Sequence, residues 1–180
     1  RTVTGLFGDA AGAAVIGVSD DPDAGILATR MHSDGSDAEC LAIQWPGMAP
    51  GREAYVTKED IDEGRIWPNM DGQRVFKSAV KRMPEVIQEV LAEQNLQVSD
   101  IDMLIPHQAN LRINEMVAKL LRIDESKVHN NIQKYGNTTA ATIPLCLSEA
   151  RALGKVKKGD LVCAVAFGAG FTWGAVLMRW

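Results

Sequence analysis

The pattern that most constrains the fold is an alternation of short apolar runs with stretches of helical periodicity. From Gly72 onward, apolar residues recur at the 3.6-residue period of a helix over about five turns. Further apolar runs and helical patterns then follow one another to the end of the chain. The predicted order is helix, strand, helix, short strand, helix, strand, strand, over residues 72–91, 99–106, 111–121, 127–130, 138–153, 161–167 and 172–178. Such alternation predicts a layered α/β fold.

The start of the chain carries a separate strand signal. Two β-rich runs, Arg1–Phe7 and Gly12–Val18, are joined by small residues, which predicts a hairpin of buried strands. A third strand is expected over Gly25–His32. We assign residues 1–20 to the end of a preceding unit and residues 21–180 to a second unit. Because the chain opens with Arg rather than Met, we expect further sequence upstream.

Two places interrupt the regular pattern. Between Leu41 and Asn69 the sequence is irregular, and long excursions of this kind often form a lid or a pocket wall. Pro84 lies inside the helical stretch, where proline lacks a backbone donor and crowds the preceding turn. We therefore expect a kink, or two abutting helices, near Arg82–Pro84.

Bulk composition excludes several classes of protein. The chain has 180 residues, 46% of them apolar and 23% charged, as in one globular domain or part of a larger one. A net charge of −4 gives no reason to expect nucleic acid, and no apolar run of about 18 residues predicts a membrane span. The three cysteines and three histidines lack metal-ligand spacing, so no metal is expected. We expect a reduced, cytoplasmic protein.

Two polar signals stand out against this background. His107 ends an apolar run and precedes a helix, where open α/β folds place their chemistry. Asn137 also precedes a helical stretch. If the fold brings them together, two neutral N–H donors face one point. On position alone, a packing role for His107 and a turn or N-cap role for Asn137 stay open. His32 and His129 are interpreted as packing or surface residues.

No convincing nucleophile is present. Cys146 and Cys163 lie in apolar elements and are expected to be small core residues. Cys40 follows a polar turn without the strand-to-helix elbow of an exposed nucleophile. The run Gly168–Gly170 lacks the spacing of a phosphate loop and suits close backbone approach instead.

Two rows of cations have alternative explanations. One row is spaced three and four apart and the other seven apart, so the members of each row share a helix face. Each row is either a solvated face or a docking surface for an anionic partner. The rows comprise Arg74, Lys77 and Lys81, and Arg112 and Lys119.

Five strings together resemble one family: LFGDAAGAAV, MDGQRVFKSAV, PHQANLRI, YGNTTAATIP and AFGAGFTWGAVL. They are similar to β-ketoacyl-acyl carrier protein synthase III, of the thiolase superfamily, along essentially the whole chain. The combination of HQAN, GNT and the FGxGFTWG ending distinguishes this family from the elongating synthases, which use two histidines. It also distinguishes the family from chalcone-type synthases.

The resemblance implies a thiolase-like layered α/β/α fold, of which the chain is the C-terminal half plus the last strand pair of the N-terminal half. Family members use a Cys–His–Asn triad. His107 and Asn137 match the His and Asn, whereas the cysteine belongs upstream of Arg1, in a missing N-terminal half. The implied reaction is decarboxylative Claisen condensation of an acyl-CoA starter with malonyl-acyl carrier protein, which initiates fatty acid biosynthesis. The implied substrates are a coenzyme A thioester and acyl carrier protein, with no further cofactor.

Further residues match the family's binding positions. By resemblance, Phe167 lies beside the active centre and Gly168–Gly170 shape the cavity floor. Arg112 matches a position that meets the carrier protein or the CoA phosphates, and the two cationic rows gain the acidic carrier protein as a candidate partner. A homodimer of the full subunit is also implied. Positions matching the pantetheine channel are Met70, Gly72, Phe76, Ala109 and Asn110.

Two other interpretations stay open. One is an acyltransferase of the same fold that forms esters, amides or other products in secondary metabolism. The other is a non-catalytic fragment or partner subunit that lacks the nucleophilic cysteine.

Overall fold

The computed structural model describes residues 5–46 and 54–180. The strands in this part of the chain are β1 (Gly25–Ser33), β2 (Leu41–Ala42), β3 (Asn69–Met70), β4 (Met103–Pro106), β5 (Leu161–Gly168) and β6 (Thr172–Arg179). The α-helices are α1 (Lys58–Asp62), α2 (Gly72–Glu93), α3 (Leu111–Leu121), α4 (Ile132–Tyr135) and α5 (Thr142–Ala152). Short 3₁₀ segments cover Gly35–Cys40, which is kinked at Asp37, and Val98–Asp100, Glu125–Lys127 and Thr139–Ala141.

One mixed sheet organises the chain. Its strand order is β1-β6-β5-β4, with β4 parallel to β5 and the other pairs antiparallel. Because β4 and β5 run in parallel, their carboxyl ends meet at one edge of the sheet. The His107 N–H continues this pairing with a 2.8 Å hydrogen bond to the Val165 carbonyl. The residue after β4 is thereby fixed beside the end of β5.

Helices cover both faces of the sheet. On one face, alternate residues such as Leu104 and Val165 join the core formed with α2 and α3. On the other face, Ile105, Val162 and their neighbours pack against Cys146 of α5. Strands that are buried on both faces have continuous apolar sequences, and β4 and β5 show this pattern. The prediction of a layered α/β fold is confirmed.

Helix α2 is one uninterrupted helix, so the prediction of two abutting helices is wrong. Pro84 lies inside it without a break in helical geometry. The side chains of Met83, Val86 and Ile87, on the same turns, are almost completely buried. Tertiary packing of this apolar face outweighs the hydrogen bond that proline removes.

The predicted N-terminal hairpin is also wrong in its described part, while β1 confirms the predicted third strand. Residues 12–18 form no strand, and Val15 and Val18 are fully exposed. No strand within the described residues pairs with this run, so its backbone groups have no ladder to join. The rest of this prediction, residues 1–4, lies outside the described part. Phe7 makes a single parallel bridge, to Asn137.

Two local predictions need correction. The expected strand over residues 127–130 is reduced to one bridge between Leu104 and Val128. Helix α5 begins at Thr142, after a 3₁₀ turn, and not at residue 138 as predicted. The irregular stretch 41–69 contains β2, α1 and the first residue of β3, and Leu41, Ala42, Ile43 and Pro68 of it line a cavity, as expected of a pocket wall. Residues 47–53 lie outside the described part. No helix that the structure describes is both long and apolar enough to cross a membrane.

Candidate functional site

A cavity of about 660 Å³ opens at the edge of the sheet where β4 and β5 end. His107 and Asn137 both line it, so the fold brings the two predicted donors to one space. Most of the other lining side chains are apolar, as is usual for ligand pockets. The cavity also contains six of the residues expected from the resemblance to bind substrate: Met70, Gly72, Phe76, Ala109, Asn110 and Phe167.

His107 sits on a rigid support. The strand before it, β4, is buried at every position. Its ring nitrogen Nδ1 lies 2.6 Å from the Thr142 hydroxyl oxygen. Burial lowers the pKa of His107 from 6.5 to about 4, because desolvation penalises the charged ring. The imidazole is therefore neutral at physiological pH and carries a single N–H.

One hydrogen bond orients the side-chain amide of Asn137, which lines the cavity. Its Oδ1 accepts a 2.9 Å hydrogen bond from the Thr139 backbone N–H. Because a backbone N–H can pair with the amide oxygen and not with the NH₂ group, this contact orients the side chain. Nδ2 is then the end that can donate to a ligand.

The backbone of Asn137 is held by a distant segment. Its N–H donates to the Leu6 carbonyl at 2.8 Å, and its carbonyl accepts from the Gly8 N–H at 3.0 Å. A Cβ at Gly8 would lie 1.9 Å from the Tyr135 carbonyl oxygen. Gly136 has φ +69°, and a Cβ there would lie 2.9 Å from the Leu6 carbonyl oxygen. Glycine is required at both positions for the two segments to approach this closely.

A chain of hydrogen bonds joins the two donor side chains. Thr139 donates its N–H to Asn137, and its carbonyl lies 2.9 Å from the Thr142 hydroxyl. That hydroxyl is in turn hydrogen-bonded to the His107 ring. The turn between α4 and α5 thus sets the positions of both donors. The role of Thr142 was not predicted from the sequence, because nothing in its spacing indicates it.

Gln108 was also missed as a structural residue, although it stands inside the HQAN motif. Its side chain is completely buried. Nε2 donates to the Pro106 carbonyl at 2.7 Å, and Oε1 accepts from the N–H groups of Asn131 and Ile132 at 3.0 and 3.1 Å. Gln108 therefore ties the end of β4 to the start of α4, the helix that leads to Asn137.

A second polar cluster supports the same region. Glu149 of α5 accepts a 2.8 Å hydrogen bond from Asn131 Nδ2 and pairs with Lys134. The hydrogen bond from Lys134, and to a lesser extent that from Asn131, holds the pKa of Glu149 below its usual range. His129 is buried beside them, which confirms the packing role predicted for it.

The cysteines fit the roles expected of them. Cys146 and Cys163 are fully buried, and burial raises the pKa of each thiol to about 12. Neither forms a thiolate at neutral pH. Cys40 is half-buried and does not line the cavity. Within residues 5–46 and 54–180, no group of three or more His, Cys, Asp and Glu could hold a metal ion.

The remaining predicted residues lie outside the cavity or have a second role. Arg112 is exposed in the first turn of α3 and does not line the cavity. Asn110 lines the cavity and also caps α3, because its Oδ1 accepts from the Arg112 N–H at 3.0 Å. Arg74 pairs with Asp37. The structure shows no ion pair, within its described part, for the exposed cations Lys77, Lys81, Arg112 and Lys119.

The fold and site define the class to which this chain belongs, the thiolase-like α/β proteins. Two family models match it. "3-Oxoacyl-(acyl-carrier-protein (ACP)) synthase III C terminal" covers residues 91–180, and "3-oxoacyl-(acyl-carrier-protein (ACP)) synthase III" covers residues 1–35. The chain belongs to the 3-oxoacyl-(acyl-carrier-protein) synthase III family.

Individual relatives agree with this assignment. The β-ketoacyl-acyl-carrier-protein synthase III of Clostridioides difficile is 47% identical over all of this chain and 53% of its own length. The crystal structure of the Aquifex aeolicus 3-oxoacyl-acyl-carrier-protein synthase III is 43% identical, with a TM-score of 0.76 over 91% of this chain and 46% of that one. The priming β-ketosynthase of the R1128 polyketide biosynthetic pathway is 32% identical, with a TM-score of 0.81 over 99% of this chain and 52% of that one. The chain spans about half the length of the relatives it matches.

Proposed function

We propose that this chain supplies the decarboxylation site of a ketoacyl synthase that condenses an acyl-CoA starter with malonyl-acyl carrier protein. The observation that carries the proposal is the pair His107 and Asn137. Both line one apolar cavity, and internal hydrogen bonds constrain both side chains. Relatives that bear the name β-ketoacyl-acyl-carrier-protein synthase III support the same reaction.

The two donors suit the loss of CO₂ from a malonyl thioester. As the C–C bond to the carboxylate breaks, its electron pair moves onto the thioester carbonyl oxygen and forms an enolate. His107 and Asn137 would each donate an N–H to that oxygen. One such donor contributes about 2.7–4 kcal/mol to a transition state. A neutral imidazole, kept so by a pKa of about 4, donates without protonating the carbanion.

The condensation step needs a group from outside this chain. A cysteine thiolate from the upstream half takes the acyl group from acyl-CoA, the C–S bond to CoA breaks, and CoA leaves as a thiolate that takes a proton from solvent. The carbanion then attacks the acyl-cysteine, a C–C bond forms, and the C–S bond breaks to regenerate the thiolate. The product is the β-ketoacyl carrier protein. The high pKa values of Cys146 and Cys163 support an upstream origin for this nucleophile.

The cavity and its surroundings suit a long, flexible thioester. We assign the pantetheine arm to the apolar wall formed by α2, β3 and the loop after β4. Carrier proteins are acidic, so the exposed cations of α2 and α3 would steer docking. The assigned cations are Arg74, Lys77, Lys81, Arg112 and Lys119, of which Arg74 is partly neutralised by Asp37. We further propose a cytoplasmic homodimer of the full subunit that uses no cofactor beyond its thioester substrates.

A second candidate is favoured by one comparison. The likeness to a priming β-ketosynthase of a polyketide pathway supports the same condensation in secondary metabolism. The two candidates share the site and differ in the starter and the carrier, so a panel of acyl-CoA starters separates them. A role as a non-catalytic partner subunit predicts no condensation with any of them.

The test uses the protein extended upstream to the length of its relatives. Incubation with acetyl-CoA should add one acyl group to a cysteine upstream of Arg1, which digestion and mass spectrometry would locate. Addition of malonyl-acyl carrier protein should then yield acetoacetyl-carrier protein. A stable acyl adduct on Cys40, Cys146 or Cys163, or the absence of any condensed product, would overturn the proposal.

A further inference from the structure

Thr142 offers one hydroxyl proton to two acceptors. Its Oγ1 lies 2.6 Å from His107 Nδ1 and 2.9 Å from the Thr139 carbonyl oxygen. Thr142 is almost completely buried, with 1% of its surface exposed. A hydroxyl donates one hydrogen, so the two contacts cannot both be donated by Thr142. The direction of the bond to His107 decides which ring nitrogen carries the proton.

Each direction corresponds to a different chemistry. If Nδ1 carries the proton and donates to Thr142, Nε2 is a bare lone pair and acts as an acceptor. If Thr142 donates to Nδ1, Nε2 carries the proton and acts as a donor. The ring is neutral, so it cannot hold both protons. An oxyanion needs a donor, which requires the second arrangement.

Geometry favours the hydroxyl as the donor to His107. A separation of 2.6 Å lies below the usual range of N–H···O bonds, about 2.7–3.2 Å, which counts against the ring N–H as the donor. The Thr139 carbonyl does not depend on the hydroxyl either. It already accepts the backbone N–H of Thr142, so it stays paired when the hydroxyl turns toward the ring.

We propose that Thr142 is a positioning residue that sets the tautomer of His107, by donating its hydroxyl to Nδ1 and leaving the proton on Nε2. This inference rests on the proposed function for its chemical purpose. Thr142 does not act as an acid or a base, and no proton is transferred between Thr142 and His107. It fixes the rotation of the ring and selects the nitrogen that donates to the substrate oxygen.

The turn that carries Thr142 also serves the second donor. Thr142 reaches His107 with its side chain, and Thr139, one turn earlier, orients the Asn137 amide. Removing the hydroxyl frees the ring of His107 and leaves the contact between Thr139 and Asn137 intact. Its loss should therefore lower the rate of decarboxylation and leave substrate affinity nearly unchanged, because the donor acts on charge that develops in the transition state.

The direct test is ¹⁵N NMR of the histidine side chains at pH 7. The chain has three histidines, and His107→Gln identifies the signals of His107. We expect Nδ1 of His107 to have a pyridine-type shift and Nε2 a pyrrole-type shift. The reverse pattern, with the proton on Nδ1, would overturn the inference without any variant of Thr142, whereas the reaction itself is tested separately by the condensation assay in the extended protein.

Kinetics in the extended protein complete the test. Thr142→Val keeps the shape and removes the hydroxyl, and should lower kcat for malonyl-carrier decarboxylation at least about tenfold with KM within about twofold. Thr142→Ser should restore most of the rate. The matched control is Thr138→Val, because Thr138 is equally buried and its hydroxyl has no hydrogen-bond partner within the described residues. Equal rates for Thr142→Val and Thr138→Val would overturn the inference.

A wild-type protein that shows the expected tautomer but does not decarboxylate its substrate would overturn the proposed function alone.

Discussion

His107 and Asn137 line the same cavity, but the protein holds them by different means. His107 follows a fully buried strand, and the sheet continues through its backbone N–H to Val165. Asn137 stands in a loop. Its backbone is paired with Leu6 and Gly8, far away in sequence, and the helix before it is anchored by Gln108. One donor is placed by the core, whereas the other depends on a few polar contacts between separate segments.

This difference separates two ways of building a two-donor site. A side chain at the end of a core strand keeps its place as long as the sheet is folded. A side chain on a loop keeps its place only while each of its tethers is present. We therefore expect changes in the tethers to disable Asn137 first and to spare the position of His107.

The largest effect is expected from Gln108→Leu, which removes the link between the two regions. The Pro106 carbonyl and the N–H groups of Asn131 and Ile132 would lose their partner. An unpaired buried polar group costs about 1–3 kcal/mol, so the free energy of unfolding should fall by about 3–5 kcal/mol in denaturant titrations. The control is Gln133→Leu at an exposed site, with a change within about 0.5 kcal/mol. A loss below about 1 kcal/mol for Gln108→Leu would show that the link is not needed.

The pH dependence of stability tests the burial of His107. The pKa of this ring is lowered to about 4 in the folded protein, so between pH 4 and 6.5 the unfolded chain binds more protons. Stability should therefore fall as the pH drops from 6.5 toward 4, and His107 should account for up to about 3 kcal/mol of that fall. Comparing the pH slopes of the wild type and His107→Gln isolates this share. Parallel slopes would mean that the ring is not desolvated.

Gly8→Ala tests the tether of Asn137. The new Cβ would lie 1.9 Å from the Tyr135 carbonyl oxygen, which must push the segment away from the loop. With one donor misplaced, decarboxylation in the extended protein should fall about 100-fold. Gly5→Ala is the matched control, because a Cβ there has nothing within 4 Å. Equal rates for the two variants would show that Asn137 holds its place without residues 6–8.

The smallest effect is expected for Arg112, on the protein surface outside the cavity. Arg112→Glu reverses an exposed charge outside the cavity, so the fold and both donors should be unaffected. The apparent KM for the carrier substrate should rise about tenfold at low salt, and the effect should shrink as salt screens the charges. Arg151→Glu makes the same charge change on α5, away from the two cationic rows. An unchanged KM for Arg112→Glu, or an equal rise for both, would remove Arg112 from the docking surface.

The same comparison shows how far the sequence could predict the structure. Strands β4, β5 and β6 and helices α2 and α3 follow from periodicity, because their partners lie within the chain and their apolar faces are buried there. Residues 12–18 have an equally strong strand signal and form no strand, because strand pairing depends on a neighbour that local pattern does not reveal.

The residues of the site also differ in how far the sequence could predict them. The location of His107 follows from the end of a strand. The pairing with Asn137 was a hypothesis from position that the resemblance strengthened, and the helix α4 that positions Asn137 was not predicted. Thr142 and Gln108 were missed because their roles arise from contacts between segments that are not adjacent in the sequence.

The central claim is that His107 and Asn137 donate to one developing oxyanion. Its most direct test is the rate of malonyl-acyl carrier protein decarboxylation in the extended protein, for His107→Ala, Asn137→Ala and the double variant. Each single variant should be slower by about 100-fold or more, and the double variant should lose less than the product of the two, since both groups serve the same atom. A single variant that keeps the wild-type rate would contradict the account.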